Sequence, residues 1–329
     1  MAVTRTFVSD GRWDARMQRQ LMFALGGGVL SAALLLAPLF SAGGLAIMVA
    51  YFVPLPLFAA GLATGARNLV IAGTCAMVIL TLIAGLAAGA GYLASIVLPA
   101  WIIVYHALSH RLLKDGATDF YAPGEIVARL AVFGAACLLM VALTQIGADT
   151  GLSATIRSWL QSWLSLFPMD NDQRSQLVER IMPLFPAFAI LSWMLMMVIN
   201  ATAAQAGLTR AGQALRATPD YSAIELPEWS YWLFVVAATA KLMSSGEIEF
   251  VAQNLTMILG APFVFVGLGV VHRAARRLHY SGIALAVFYL CLFLFPWSAA
   301  VVGVLGFAEK WVALRERFAP PPYNQPEEE

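Results

Sequence analysis

The sequence predicts an all-α fold: a polytopic α-helical integral membrane protein of about ten transmembrane helices, or nine, with one interfacial amphipathic helix. Three observations carry that expectation. Of the 329 residues, 60% are hydrophobic and 12% charged, far from the mixture of a water-soluble domain. Nearly uncharged apolar stretches recur from residue 21 to about residue 306, most of them near the ~20 residues a helix needs to cross a bilayer. None alternates polar and apolar residues as a barrel strand must, so each has to satisfy its own peptide groups as a helix.

Taken in order, the first group of stretches covers 21–40, 45–63, 69–88, 91–107 and 126–146. The first outlasts the apolar core of a cleavable signal and reads as a retained span, and Pro54-Leu55-Pro56 kinks the second. A second group covers 183–204, 229–243, 251–271, 283–295 and 297–306. The last two are read apart because one helix over 280–308 would measure roughly 43 Å, against a hydrocarbon core of about 30 Å, and Pro296 supplies a break. Domain organisation follows: a polar, basic N-terminal segment at 1–20, one membrane domain over 21–317, and a flexible tail at 318–329 rich in proline and glutamate.

Basic residues set the orientation. With the N-terminus inside, every Lys and Arg of the 20 falls in a cytoplasmic segment except Arg157, Arg174, Arg180 and Lys241. An odd number of spans would expel Lys310, Arg315 and Arg317, so both termini are expected in the cytoplasm. The connection over 147–182 then lies outside. In it Ile156, Trp159, Leu160, Trp163, Leu164 and Phe167 recur at helical spacing, which describes an amphipathic helix at headgroup depth. Asp170-Asn171-Asp172 offers an N-cap to a second short helix over 173–182 that ends at Pro183. The pair reads either as a lid over an outward cavity or as a seal on the bundle's rim.

Polar groups inside apolar spans are costly, and so they mark places to look for function. Lys241 near the outer end of the seventh stretch, Glu247 and Glu249 beyond Ser244-Ser245-Gly246, and Gln253 and Asn254 form one such cluster. A cation, two carboxylates and two amides could hold a polar or zwitterionic ligand, and these five are the candidate ligand-binding residues. The alternative is that Lys241 snorkels to the headgroups and the glutamates are solvated. His106 and His110 share a helical face, with His272 and His279 at another cytoplasmic connection, but no acid accompanies them as in a zinc-protease motif and no metal is expected. Arg273, Arg276 and Arg277 read first as a topology anchor. Cys75, Cys137 and Cys291 lie singly in apolar stretches, as packing residues. Pairs such as Gly28 with Ala32 and Gly61 with Gly65 have the spacing of close helix contacts. The chain lacks a Walker loop, a paired nucleophile and base, and any cofactor motif, so no catalytic residue and no cofactor is assigned.

The C-terminal third carries an ordered pattern. Leu226-Pro227-Glu228-Trp229 opens a stretch, Gly267 punctuates the next, and the chain closes on Gly306-Phe307-Ala308-Glu309-Lys310-Trp311 through Arg315. This order resembles the YybS-like bacterial membrane proteins, domain of unknown function 2232, most specifically over 226–315, with Pro227, Trp229, Gly267, Gly306, Trp311 and Arg315 as its marks and Glu309 where that family more often has Asp. The resemblance implies a bacterial inner-membrane protein remotely grouped with the substrate-binding subunits of energy-coupling-factor transporters, and it implies neither a substrate nor catalytic residues. The expectation is a small-molecule-binding or transport-associated subunit, not an enzyme, with the lipid bilayer, a separate energising protein and a small ligand as partners. A non-transporting scaffold or assembly factor is the alternative. No nucleic-acid partner is expected.

Overall fold

Apolar stretches of these lengths fold as helices because a helix pairs its own backbone, and helices make up nearly all of the computed structural model, which describes residues 11–40, 48–112, 118–145 and 151–313. The tail at 318–329 and Arg315 lie outside the described residues. Among those described, six helical segments are long and apolar enough to cross a membrane, or seven if one bent pair counts as a single span. The helix count therefore differs from the expected ten crossings in identifiable places. The stretch at 45–63 becomes the shorter apolar helix Met48–Thr64. The one at 229–243 becomes a 16-residue helix, about 24 Å long, which is short of the hydrocarbon thickness. The last two form helices of 14 and 15 residues that meet at 118° around Pro296.

Cα packing separates two compact units. The first comprises Met1–Tyr121 and Trp193–Thr218. Its helices are α1 (Gly11–Phe40), α2 (Leu55–Thr64), α3 (Ala66–Ala84), α4 (Leu86–Leu108) and the later part of α8 (Phe185–Arg210). A two-stranded antiparallel ribbon, β1 (His110–Leu112) with β2 (Thr118–Phe120), follows α4. Close approach of α1 and α3 requires Gly28, where any Cβ would run into the Ala72 carbonyl and stand 3.0 Å from the Cys75 Cβ. Pro56 has no N–H for the Val53 carbonyl, so the buried Ser31 hydroxyl donates to it at 2.6 Å. Ser31 has then spent its one proton, and the Tyr92 hydroxyl donates to it at 2.6 Å. Tyr92 precedes a π-helical turn, Leu93–Val97, within α4, and Trp193 Nε1 donates to the Ser95 carbonyl there at 2.7 Å. Asn200 ties its helix to the turn before α2 by donating to the Tyr51 carbonyl at 2.7 Å.

The second unit comprises Ala122–Ser192 and Pro219–Glu329. It holds α5 (Pro123–Thr144), α6 (Leu152–Leu164), α7 (Asn171–Ile181), the start of α8, α9 (Glu228–Met243), α10 (Gly246–Ala275), α11 (Ser281–Leu294) and α12 (Ser298–Val312). The amphipathic helix expected from the tryptophan spacing is α6. Leu160 and Leu164 pack with Val178 and Met182 into a small core of their own, Arg157 pairs with Glu179 across to α7, and the exposed Trp159 and Trp163 stack at 6.4 Å. The Asp170 carboxylate caps α7 as its sequence position requires, accepting from the Asp172 N–H at 3.3 Å. Packing in this unit centres on α10, with α5, α9 and α12 against it.

Candidate functional site

The five polar residues singled out in the sequence take different places. Asn254 is fully buried, and its amide is spent on the backbone where α7 gives way to α8. Its Oδ1 accepts from the Ala187 N–H at 2.9 Å, and its Nδ2 donates to the carbonyls of Pro183, at 3.0 Å, and Phe250, at 2.8 Å. Pro183 and Ala187 are an i, i+4 pair, so the amide inserts into the position of one helical hydrogen bond and holds the 3₁₀ turn Met182–Leu184 open. Glu247, two turns earlier on α10, accepts from the Ser153 N–H at 3.1 Å and also from the Ser153 hydroxyl. Gly151, at the N-cap of α6, has no side chain with which to cap the helix, and the Glu247 carboxylate takes that role at the positive end of the helix dipole. One length of α10 therefore fastens both ends of the α6–α7 excursion. Glu249 and Gln253 are half-buried, and Lys241, half-buried in the last turn of α9, forms no ion pair with a described residue. Each histidine lies against an aromatic ring: His106 on Tyr105 and Tyr121, His110 on Phe120, His272 on Tyr289 and His279 on Tyr280.

The ordered pattern of the C-terminal third converges at the other end of α9. Pro227 caps α9, fixing the chain before its first turn, and the Ser230 hydroxyl donates to the Pro227 carbonyl at 2.7 Å. Gly267 and Gly306 face each other where α10 crosses α12. A Cβ on Gly306 would strike the Phe263 carbonyl and lie 2.6 Å from the Gly267 nitrogen, so the crossing excludes any larger residue. Trp311 meets Tyr231 edge to face at 5.6 Å and Phe307 at 5.0 Å, and Tyr231 lies 4.9 Å from Phe263. These rings form a packed aromatic floor between α9, α10 and α12.

Above that floor opens a cavity of 480 Å³ lined by Ala223, Glu225, Leu226, Glu228, Tyr231, Arg273, Glu309, Lys310 and Ala313. It is bounded by the loop before α9, the last turn of α10 and the end of α12. Lys310 is engaged twice, donating to Glu228 Oε1 at 2.8 Å and resting 5.0 Å above the Tyr231 ring. That hydrogen bond, and then the charge behind it, hold the exposed Glu228 carboxyl below the usual carboxylate range. Asp220, just outside the cavity, is held low in the same way. The Ser222 hydroxyl donates to it at 2.7 Å and the Ser222 N–H at 2.9 Å, and the charges of Arg273 and Arg276 add to the effect. Glu309 is buried, at 9% exposure, whereas Glu225 is exposed.

Three carboxylates and two cations in one concavity of this size suit a small polar solute. The sequence pattern does not single out Tyr231, Glu225 or Glu309 as site residues, and it presents Arg273 first as a topology anchor and second as an anionic-lipid or protein contact. One signal is available in the sequence: Leu226, Glu228, Glu309 and Lys310, which line the cavity, fall inside the two ends of the ordered pattern. A family model described as "Predicted membrane protein (DUF2232)" matches residues 29–309. No curated protein and no solved structure matches the chain.

Proposed function

The chain belongs to the DUF2232 family of membrane proteins, and on that premise we propose that it binds a small solute in the cavity between α9, α10 and α12, without catalysis, as a transport-associated capture subunit. The observation that carries this reading is one charged cavity on which Leu226 and Glu228, from one end of the ordered sequence pattern, and Glu309, Lys310 and Ala313, from the other, meet Tyr231 and Arg273. In this reading a separate protein supplies the energy, as the remote grouping with substrate-binding subunits of energy-coupling-factor transporters that the family resemblance implies would have it.

In this reading the protein resides in a bacterial inner membrane with both termini in the cytoplasm. The stretches 48–64 and 229–243 cross as short spans in addition to the six long ones, and the pair α11–α12, turned past a right angle, returns the chain toward the side it came from. That pair keeps the parity of about ten crossings whether it spans twice or re-enters, so the basic residues stay inside. The cavity, beside Arg273 and Lys310, then opens to the cytoplasm.

The experiment is purification from native membranes of the wild type and of Ala223→Trp, which puts an indole into the cavity, with mass spectrometry of the co-purifying small molecules. A solute enriched with the wild type and lost from the variant supports the reading. Equal recovery from both, or none from either, defeats it. The scaffold reading draws on a different observation: α11 buries no residue among those described, leaving Ile283, Leu290 and Phe293 open to a partner helix as well as to lipid. A stable protein complex that survives Ala223→Trp unchanged favours that second reading.

A further inference from the structure

We infer that one end of the first unit is a contact site for anionic phospholipid, formed by Arg19, Arg67 and Arg210. The course of the helices brings the three to the same end. Ser31 meets the Val53 carbonyl, and a Cβ on Gly27 would meet Pro56 and Ala60, so α1 runs antiparallel to α2. The chain turns back at Gly65, with Gly61 against Leu69, so α3 opposes α2 and runs the same way as α1. Asn200 donates to the Tyr51 carbonyl ahead of α2, and the Leu215 N–H donates to the Leu62 carbonyl near its end, so α8 runs alongside α2. The apolar parts of α1 and α3 therefore begin where α8 ends, and Arg19, Arg67 and Arg210 stand at those places. All three are exposed, and none forms an ion pair or a hydrogen bond with a described residue. Arg216, at the same end, is spent on the fold: it donates to the Ala107 carbonyl at 2.8 Å and lies 4.9 Å from the centre of the Phe120 ring. The other three guanidiniums repel one another, and an anion among them relieves that repulsion.

Their depth argues for a lipid over a soluble anion. Each lies close to the end of a segment long and apolar enough to cross a membrane, where headgroup phosphates are found. The apolar residues beside them are bare. Met22 and Phe23 stand three and four positions beyond Arg19, and Val70 three beyond Arg67, on the same helical faces and exposed. A guanidinium fork beside an exposed apolar strip matches a phosphodiester beside its acyl chains. A zwitterionic headgroup brings an ammonium that the arginines repel, so the preferred lipid carries net negative charge, as phosphatidylglycerol does.

The test is native mass spectrometry of the purified full chain in detergent, titrated with phosphatidylglycerol, phosphatidylcholine or the deacylated headgroup glycerophosphoglycerol, with thermal unfolding as a second readout. Phosphatidylglycerol should bind roughly tenfold or more tightly than phosphatidylcholine, and its stabilising effect should fade as salt is raised. Arg19→Gln, Arg67→Gln and Arg210→Gln should each weaken phosphatidylglycerol binding roughly fivefold, and the triple variant roughly a hundredfold. Arg180→Gln, at an exposed arginine of the second unit, should leave it unchanged. If the triple variant does not fold, the three single changes carry the test. The inference is overturned by equal binding of the two lipids, by wild-type affinity in the variants, or by no binding at all. It is overturned equally by a loss from Arg180→Gln as large as that from Arg67→Gln, or by glycerophosphoglycerol binding as tightly as the lipid.

Discussion

Replacing Asn254 by Ala separates a structural clip from a ligand contact. The fully buried amide makes two hydrogen bonds across elements, to the Ala187 N–H and the Pro183 carbonyl, and one within α10 to Phe250. The Phe250 carbonyl sits in the helical ladder, so the loss falls on the other two. Interhelical hydrogen bonds in membranes average about 0.6 kcal/mol, and orphaning a buried polar group costs about 1–3 kcal/mol. Partial closing of the turn, with the Ala187 N–H moving toward the Pro183 carbonyl, would recover some of that. A loss of about 1–3 kcal/mol is therefore expected. Asn254→Asp should cost more, because it keeps the acceptor for Ala187 but turns a carboxylate oxygen toward the Pro183 carbonyl. The assay is unfolding followed by tryptophan fluorescence in detergent without added ligand, with Gln253→Ala as the half-buried neighbour. Stability of Asn254→Ala within about 0.5 kcal/mol of wild type would refute the reasoning.

Three further predictions concern packing, pH and topology. Gly306→Ala should destabilise by about 1–3 kcal/mol through collision with the α10 backbone, whereas Gly303→Ala, whose Cβ meets only Val264 Cγ2 at 3.4 Å, should be tolerated; similar melting of the two proteins would count against the described crossing. The folded pKa values of Asp220 and Glu228 lie below their unfolded values, so their contribution to stability is complete above the ordinary carboxylate range and lost as pH falls through the lowered folded pKa values. Asp220→Asn should flatten the acid limb of a stability-versus-pH curve, and an unchanged limb would remove the Ser222 and arginine contacts from the account. In a background without Cys75, Cys137 and Cys291, a cysteine at Ser175 should be labelled from outside intact cells and one at Arg317 protected; reversal at either position breaks the proposed orientation.

The legible part of this fold is the part set by solvent. Residues 69–88, 126–146 and 251–271 had to be helices because nothing else satisfies the backbone in lipid, and α3, α5 and α10 follow them closely. Helix α6 and the Asp170 cap were equally readable, since spacing and capping are local. Pro296 announces the break between 283–295 and 297–306, but neither it nor hydropathy registers how far the chain turns there, which is 118°. At the site the difficulty was distance along the chain. Glu247 and Asn254 find their partners 94 and 67 residues away, and no local pattern announces such a pairing. The cavity was hidden for the same reason, because its lining comes from residues 223–231, 273 and 309–313 and only the folding of α9 and α12 onto α10 assembles it.

The central claim, that this cavity holds a solute, is met most directly by single-particle cryo-electron microscopy of the protein extracted in native lipid particles, alongside Ala223→Trp prepared identically. The account predicts non-protein density bounded by Tyr231, Arg273, Glu225 and Glu309 in the wild type and its loss in the variant. An empty, water-filled cavity in the wild type, with the side chains placed as described, would contradict it.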